Sequence, residues 1–232
     1  MRKKLLHTLF ATTLVVFVGC SNPADNVPEA EVAEPAKAVP IATVSKSEPT
    51  VAPVAAKSYV IGGDSKIDFV GSKAIGGEQP GGFKKFVGQL NVQEGQLLAS
   101  GSKIVIDMKS LWTNTEKLTG HLKHQDFFNV EKIPTSTFAA TKIESIDGKQ
   151  KITGDLTMHG ITKSISFPAE IAVADDTVAL KAEFFINRFD FEMKYPGQAD
   201  NLIRKEVVLS LNVKATPGEA DFSSLEKSAG NQ

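Results

Sequence analysis

SISFPAEIAVADDTVALKAEFFIN, residues 164–187, carries two runs of alternation on either side of an acidic pair. Ile165, Phe167, Ala169, Ile171 and Val173 fall on one face, against Ser164, Ser166 and Glu170 on the other. After Asp175-Asp176 the pattern resumes, with Val178, Leu180, Ala182, Phe184 and Ile186 against Lys181, Glu183 and Asn187. A period of two marks half-buried antiparallel strands. An Asp-Asp pair between two such runs is a hairpin signal.

The same period recurs outward from this hairpin. Residues 206–214 set Val207, Leu209, Leu211 and Val213 against Ser210, Asn212 and Lys214. Residues 103–109 set Ile104, Ile106 and Met108 against Lys103, Asp107 and Lys109. Weaker strands fit at 58–61, 65–74, 83–93, 136–146 and 150–158, with an Asp147-Gly148 turn between the last two. About eight strands, each with one apolar face, predict an all-β fold: an extended antiparallel β-barrel, in which closure removes exposed edges. Residues 58–217 are one domain by length and bury about 70% of the unfolded surface. The glycine-rich GGEQPGG, residues 76–82, reads as a mobile loop near the barrel mouth.

An eight-stranded bore has room for its own side chains or for one slender ligand. Gly88, Ala139, Gly154, Ala169 and Ala182 are small inward candidates that would leave volume unfilled, and an empty cavity costs stability. A lipid chain would fill it; so would Phe167 and Phe184. The pattern alone leaves both open.

One stretch is neither strand nor linker: EKLTGHLKHQDFFNVEKIPTSTF, residues 116–138. Leu118, Leu122 and the pair Phe127-Phe128 form an apolar stripe if residues 115–124 are a short helix, so the fold carries a helix–loop insertion near 115–130. Thr115 or Asn114 caps it, and Pro134 forces extended chain beyond. His121, His124 and Asp126 lie between the anchors. They could bind a metal if His159 joined them from another strand, hold the helix–loop by hydrogen bonds, or meet a ligand headgroup. Arg188 and Asp190 occupy alternate positions of one expected strand, as a salt bridge or as headgroup contacts. No nucleophile elbow, phosphate loop, H-E-x-x-H or paired cysteine is present, so no catalytic set and no enzyme activity is expected.

Three blocks carry a family resemblance. His121-Leu122-Lys123, Asp126-Phe127-Phe128, Pro134-Thr135 and Thr137-Phe138 form the first. ITGDLTMHGITKSISF, residues 152–167, is the second, and FFINRFDF, residues 184–191, the third. Together they resemble the YceI-like family of periplasmic polyisoprenoid-binding proteins, over roughly residues 58–216. The resemblance implies a lipocalin-like barrel holding a long isoprenoid or other alkyl chain, with no other cofactor. The chain would be lined by Ile104, Ile106, Met108, Phe138, Leu156, Ile165, Phe167, Ala169, Ala182, Phe184 and Ile186. Leu122, Phe127 and Phe128 would line or plug one end. His121, Asp126, Arg188 and Asp190 would be the polar candidates for a headgroup. The function implied is binding, transport or storage of a polyisoprenoid or isoprenoid quinone-type lipid. The alternatives are an envelope structural or stress-protective barrel filled by its own side chains, and an isoprenoid-modifying enzyme.

The N-terminus points to export. Arg2, Lys3 and Lys4 precede an apolar run from Leu5 to Val18, too short to span ~30 Å of hydrocarbon and shaped like a secretory signal. Phe17-Val18-Gly19-Cys20 resembles a bacterial lipobox, with Phe17 where leucine is usual. Residues 1–19 are thus an expected signal peptide, and Cys20, the one cysteine, an expected lipidation site. Lipidation would remove a free thiol that is a liability in an oxidising compartment. Residues 20–57 hold Pro23, Pro28, Pro35, Pro40, Pro49 and Pro53 and no aromatic residue. They read as a disordered tether with a reach of up to ~100 Å as polyproline II. Residues 218–232 read as a flexible tail. The expected location is the periplasmic side of the cell envelope, outer membrane favoured because Ser21 follows the cysteine. Losing Arg2, Lys3 and Lys4 leaves 23 basic against 27 acidic side chains, a net charge of −4. Without a basic cluster, nucleic acid is a poor partner; a homodimer stays open.

Overall fold

The computed structural model describes residues 22–36, 55–75, 77–146, 148–198 and 201–225. The signal-like run, Cys20 and Asp147 lie outside the described residues. The hairpin of residues 164–187 forms as its alternation requires. β10 (Ile161–Val173) and β11 (Val178–Asn187) flank a tight turn closed by Ala174 N–H donating to Thr177 O at 2.8 Å.

In chain order the other elements are β1 (Glu31–Ala33), β2 (Lys57–Ile61), β3 (Lys66–Ser72), β4 (Glu78–Phe83), β5 (Phe86–Gln93), β6 (Gln96–Asp107), β7 (Leu111–Thr113), α1 (Glu116–Lys123), β8 (Thr135–Ile146) and β9 (Lys149–Met158). The ribbon β12 (Gly197–Gln198) and β13 (Asn201–Leu202) then precedes β14 (Glu206–Pro217). Hydrogen-bonded neighbours run β10-β9-β8-β6-β5-β2-β14-β11 and back to β10, a closed antiparallel barrel of eight staves among the described residues. Three staves are split. β3 prolongs β2 along β14, β4 prolongs β5, and β7 prolongs β6, so the upper wall runs β14-β3-β4-β7. α1 packs on β7.

Local chemistry explains the turns. His159 and Gly160 both take positive φ, 53° and 75°, between β9 and β10, the twist that a two-residue antiparallel hairpin needs. Residues 78–82 of the glycine-rich segment lie in strand β4, not in the expected mobile loop. A Cβ on Gly81 would lie 2.4 Å from the Phe69 ring, and one on Gly82 2.3 Å from Asp68 Oδ1. Glycine is what lets β4 lie this close to β3 and Trp112.

The inward residues form one packed cluster. Leu156, Ile165, Phe167, Ala169, Ala182, Phe184 and Ile186 are all buried in it, beside Tyr59, Leu90, Val178 and Val213. The Phe167 and Phe184 rings stack at 4.1 Å, and Phe138 tilts against Phe167 at 5.6 Å. Two of the small positions leave no space, because neighbours already fill them. A Cβ on Gly154 would meet the Phe138 ring at 2.4 Å, and one on Gly88 would meet Ile61 Cδ1 at 2.3 Å. Ala139 stands on the face opposite Phe138 and so points away from the bore.

The chain ends correct two boundaries. Residues 22–36, expected to open a disordered tether, are folded. Pro23–Asn26 forms a 3-10 turn capped by Asn22 and packs on β3 and β14, and β1 pairs with β10. Ala24 and Ala30 are buried. Residues 218–225, expected to be a flexible tail, lie on the wall. Ala220 N–H donates to Gln89 Oε1 at 3.1 Å, and Lys103 Nζ sits 4.7 Å from the centre of the Phe222 ring.

Added bulk in this cluster should overpack it. Ala169→Phe is expected to lower stability by about 1–3 kcal/mol in ligand-free protein, while Lys181→Ala on the exposed face changes little. Thermal and denaturant unfolding check this; an unchanged midpoint for Ala169→Phe would show an unfilled bore there.

Candidate lipid-binding site

Above the packed cluster the barrel opens into a cavity of about 500 Å³, within the usual range for a small-ligand site. Its apolar wall comes from α1 and the following loop (Leu118, Leu122, Phe127, Phe128) and from the facing staves (Phe69, Val207). Met193, Tyr195 and Ile203 close it from the loop after β11. Lys73, Lys117 and His121 stand on its lining as polar groups.

The α1 side is held by local bonds. Thr115 Oγ1 accepts from Leu118 N–H at 3.3 Å, so the predicted cap exists. Phe128 N–H donates to Leu122 O and Val130 N–H to Lys123 O, which folds the loop back on the helix. That fold aims Phe127 inward, where it is buried. His121 meets Phe127 and Tyr195 edge-on, each at 5.0 Å, and Phe127 lies 5.2 Å from Tyr195. These three rings join α1 to the loop after β11.

That loop is fixed by Arg188, a cation buried at 3% exposure. Its Nε donates to Arg204 O at 3.1 Å, and Nη2 donates to Tyr195 O at 2.8 Å and Ile203 O at 3.3 Å. Nη1 donates to Met193 O. Burial draws the guanidinium pKa downward. Its donors satisfy four carbonyls that no ladder reaches. The expectation that Arg188 and Asp190 share a strand face does not hold. β11 ends at Asn187, whose Oδ1 accepts from Phe189 N–H and turns residues 188–191 into a 3-10 turn. Asp190 then faces an outer groove beside Lys163 and residues 29–34. Arg188 therefore borders the cavity with its donors committed to backbone, and Asp190 stands away from the cavity.

The other sequence candidates divide in the same way. Leu122, Phe127, Phe128 and His121 line the cavity. The candidates on β9, β10 and β11 belong to the packed cluster below, with Ile104 and Phe138 against it. Ile106 is half-buried, and Met108 is buried in a 3-10 turn just beyond β6, outside that cluster. Asp126 is exposed, 3.4 Å from His124 Nδ1 and 3.9 Å from His121 Nε2. His159 does not join them; its Nδ1 lies 3.0 Å from Phe191 O. Phe69, Met193, Tyr195, Ile203 and Val207 were not singled out from the sequence as site residues. Only the alternation through Val207 signalled that one of them faces inward.

The YceI-like domain model matches residues 59–215. The chain belongs to the YceI-like family. A UPF0312 protein of Pseudomonas putida is 31% identical over 153 residues, covering 62% of this chain and 77% of the relative. A UPF0312 protein of Vibrio vulnificus is 37% identical over 95 residues, 40% of this chain and half of the relative. Among solved structures, the Campylobacter jejuni YceI protein is 27% identical with a TM-score of 0.52, covering 60% of this chain and 85% of that one. BcnA of Burkholderia cenocepacia superposes with a TM-score of 0.58 at 23% identity, covering 66% and 96%. A polyisoprenoid-binding domain from Saccharophagus degradans has the same fold at 14% identity, with a TM-score of 0.56 and coverage of 70% and 99%.

Two substitutions separate the walls of this site. Phe127→Ala removes a buried ring and should cost about 3–5 kcal/mol. Arg188→Met leaves four carbonyls without a donor and should cost about 3 kcal/mol or more, with the loss of the Tyr195 contact visible as a changed aromatic circular dichroism signal. Wild-type unfolding midpoints for both variants would show that neither group supports the cavity.

Proposed function

We propose that this YceI-like barrel binds one slender alkyl or isoprenoid chain, whose end occupies the cavity beneath α1, and that it carries or stores that lipid without chemical change. The observation that carries this reading is the unfilled, largely apolar cavity of about 500 Å³ above a fully packed core. The fold of a polyisoprenoid-binding domain supports it. Each CH₂ withdrawn from water contributes ~0.8 kcal/mol, so a few isoprene units offset the ordering of the chain. A polar head would sit at the rim, near Lys73, Lys117 and His121 rather than Arg188.

The stacked rings of Phe167 and Phe184 favour a second reading. A bore already filled with side chains is what a structural or protective envelope barrel would have. The two readings differ in what co-purifies. Gentle extraction followed by native mass spectrometry should show one lipid per chain. Leu122→Trp, which fills the cavity, should weaken binding of a fluorescent isoprenoid at least tenfold while the melting temperature holds. A lipid-free protein that also fails to bind the probe would leave the structural reading standing.

The proposal places the barrel on the periplasmic side of the envelope, anchored through lipidated Cys20. The basic-apolar-Gly-Cys start supports this. Cys20→Ala should abolish incorporation of labelled palmitate and release the protein from the membrane fraction; unchanged processing and retention would refute it.

A further inference from the structure

β10 and β11, neighbouring staves of the barrel, part along much of their length. β10 and β11 pair from Val173 opposite Val178 to Glu170 opposite Lys181. Beyond that point β10 runs back to Ile161 and β11 on to Asn187 without pairing to each other. Two bare ladder edges would face one another here, which folded proteins avoid.

Residues 28–34 fill the gap. On one side, Glu31, Val32 and Ala33 stand opposite Ser166, Ile165 and Ser164. On the other, Phe185 N–H donates to Pro28 O and Ala30 N–H donates to Phe185 O, both at 2.9 Å. Ala30 is buried in the central cluster and Val32 packs against it. The segment is thus a partial ninth stave, inserted between two others and pointing two small side chains into the bore.

We propose that this stave is displaceable, and that its release opens a side slot through which an alkyl chain enters the bore laterally; the second half rests on the lipid-binding reading above. The stave has a weaker hold on the interior than its neighbour β11. It gives the interior Ala30 and Val32, whereas β11 gives Val178, Leu180, Ala182, Phe184 and Ile186. Outside, it is held by ion pairs of Glu31 with Lys151 and Glu34 with Lys163, whose carboxylates are 74% and 79% exposed. Pairs of that kind contribute little and are screened by salt. An open groove of about 620 Å³ runs beside the stave, with Lys163, Asn187 and Asp190 on its lining, so water reaches this side. Elements with few buried apolar contacts and solvated hydrogen bonds open ahead of the whole fold. The slot faces the packed cluster where Phe167 and Phe184 stack, so a chain entering there must part that cluster to reach the cavity beneath α1.

Ala33 and Ser164 are directly opposite on the outer face. Ala33→Cys with Ser164→Cys, in protein carrying Cys20→Ser, locks the stave when oxidised. Amide exchange of residues 30–33 in the unlocked protein should be at least a hundredfold faster than that of residues 180–186. Loading of a fluorescent isoprenoid from phosphatidylcholine vesicles should be at least tenfold slower in the oxidised form and recover on reduction, with the same final occupancy. Exchange of residues 30–33 only through global unfolding overturns the displaceable stave. Equal loading rates in the two forms overturn the side slot and leave the rim as the entrance. If neither form takes up the probe while exchange is fast, the lipid reading and the slot fall together and the displaceable stave stands.

Discussion

β14 hydrogen-bonds along one edge to β11 and along the other to β2 and β3. That double pairing turns a curled sheet into a barrel, and the interior follows from it. Closure brings Val213 and Ala215 of β14 against Tyr59 and Leu180 in a cluster that no open sheet would bury. It also fixes which faces can be apolar. A one-residue slip of β14 would send Leu209, Leu211 and Val213 to solvent.

The upper end obeys a different constraint. There the ladder gives way to irregular chain, whose carbonyls need donors. Arg188 supplies them from inside, at the cost of burying a cation. A guanidinium is suited to this because it presents several rigid donors and is more weakly hydrated than an ammonium. The result is a shaped rim: α1 and its aromatic loop on one side, the arginine-pinned loop on the other, and three touching rings between them. The cavity is therefore walled by pieces fixed independently of any occupant.

The sequence showed the staves well and the rim in part. Alternation through 164–173, 178–187 and 206–214 is a direct consequence of one wet and one dry face, so it could be read without neighbours. The helix–loop was visible through its cap, its apolar stripe and Pro134. The rest depended on contacts distant in the chain. RFDF after Asn187 continues the strand pattern, and the side-chain cap from Asn187 that ends β11 has no signal in periodicity. GGEQPGG looks like a loop until Phe69 and Trp112 are seen to need its missing side chains. Gly154 looks like spare volume until the Phe138 ring is placed beside it. Residues 28–34 have the composition of a linker, and their order comes from a gap that exists only once β10 and β11 have folded apart.

The pairing of β2 with β14 has a consequence for the order of assembly. Ile61 stands opposite Ala215, so the closing ladder joins segments more than 150 residues apart in the chain. β8, β9, β10 and β11 follow one another through short turns and close only small loops. Loop-closure entropy rises with separation, and contacts of long range form slowly. The local meander is then the early structure and the seam at β14 the late one. Until that seam closes, the edge of β14 and the apolar residues above and below it stay exposed to other chains. In physical terms, the slow step of this fold is a meeting of its two ends.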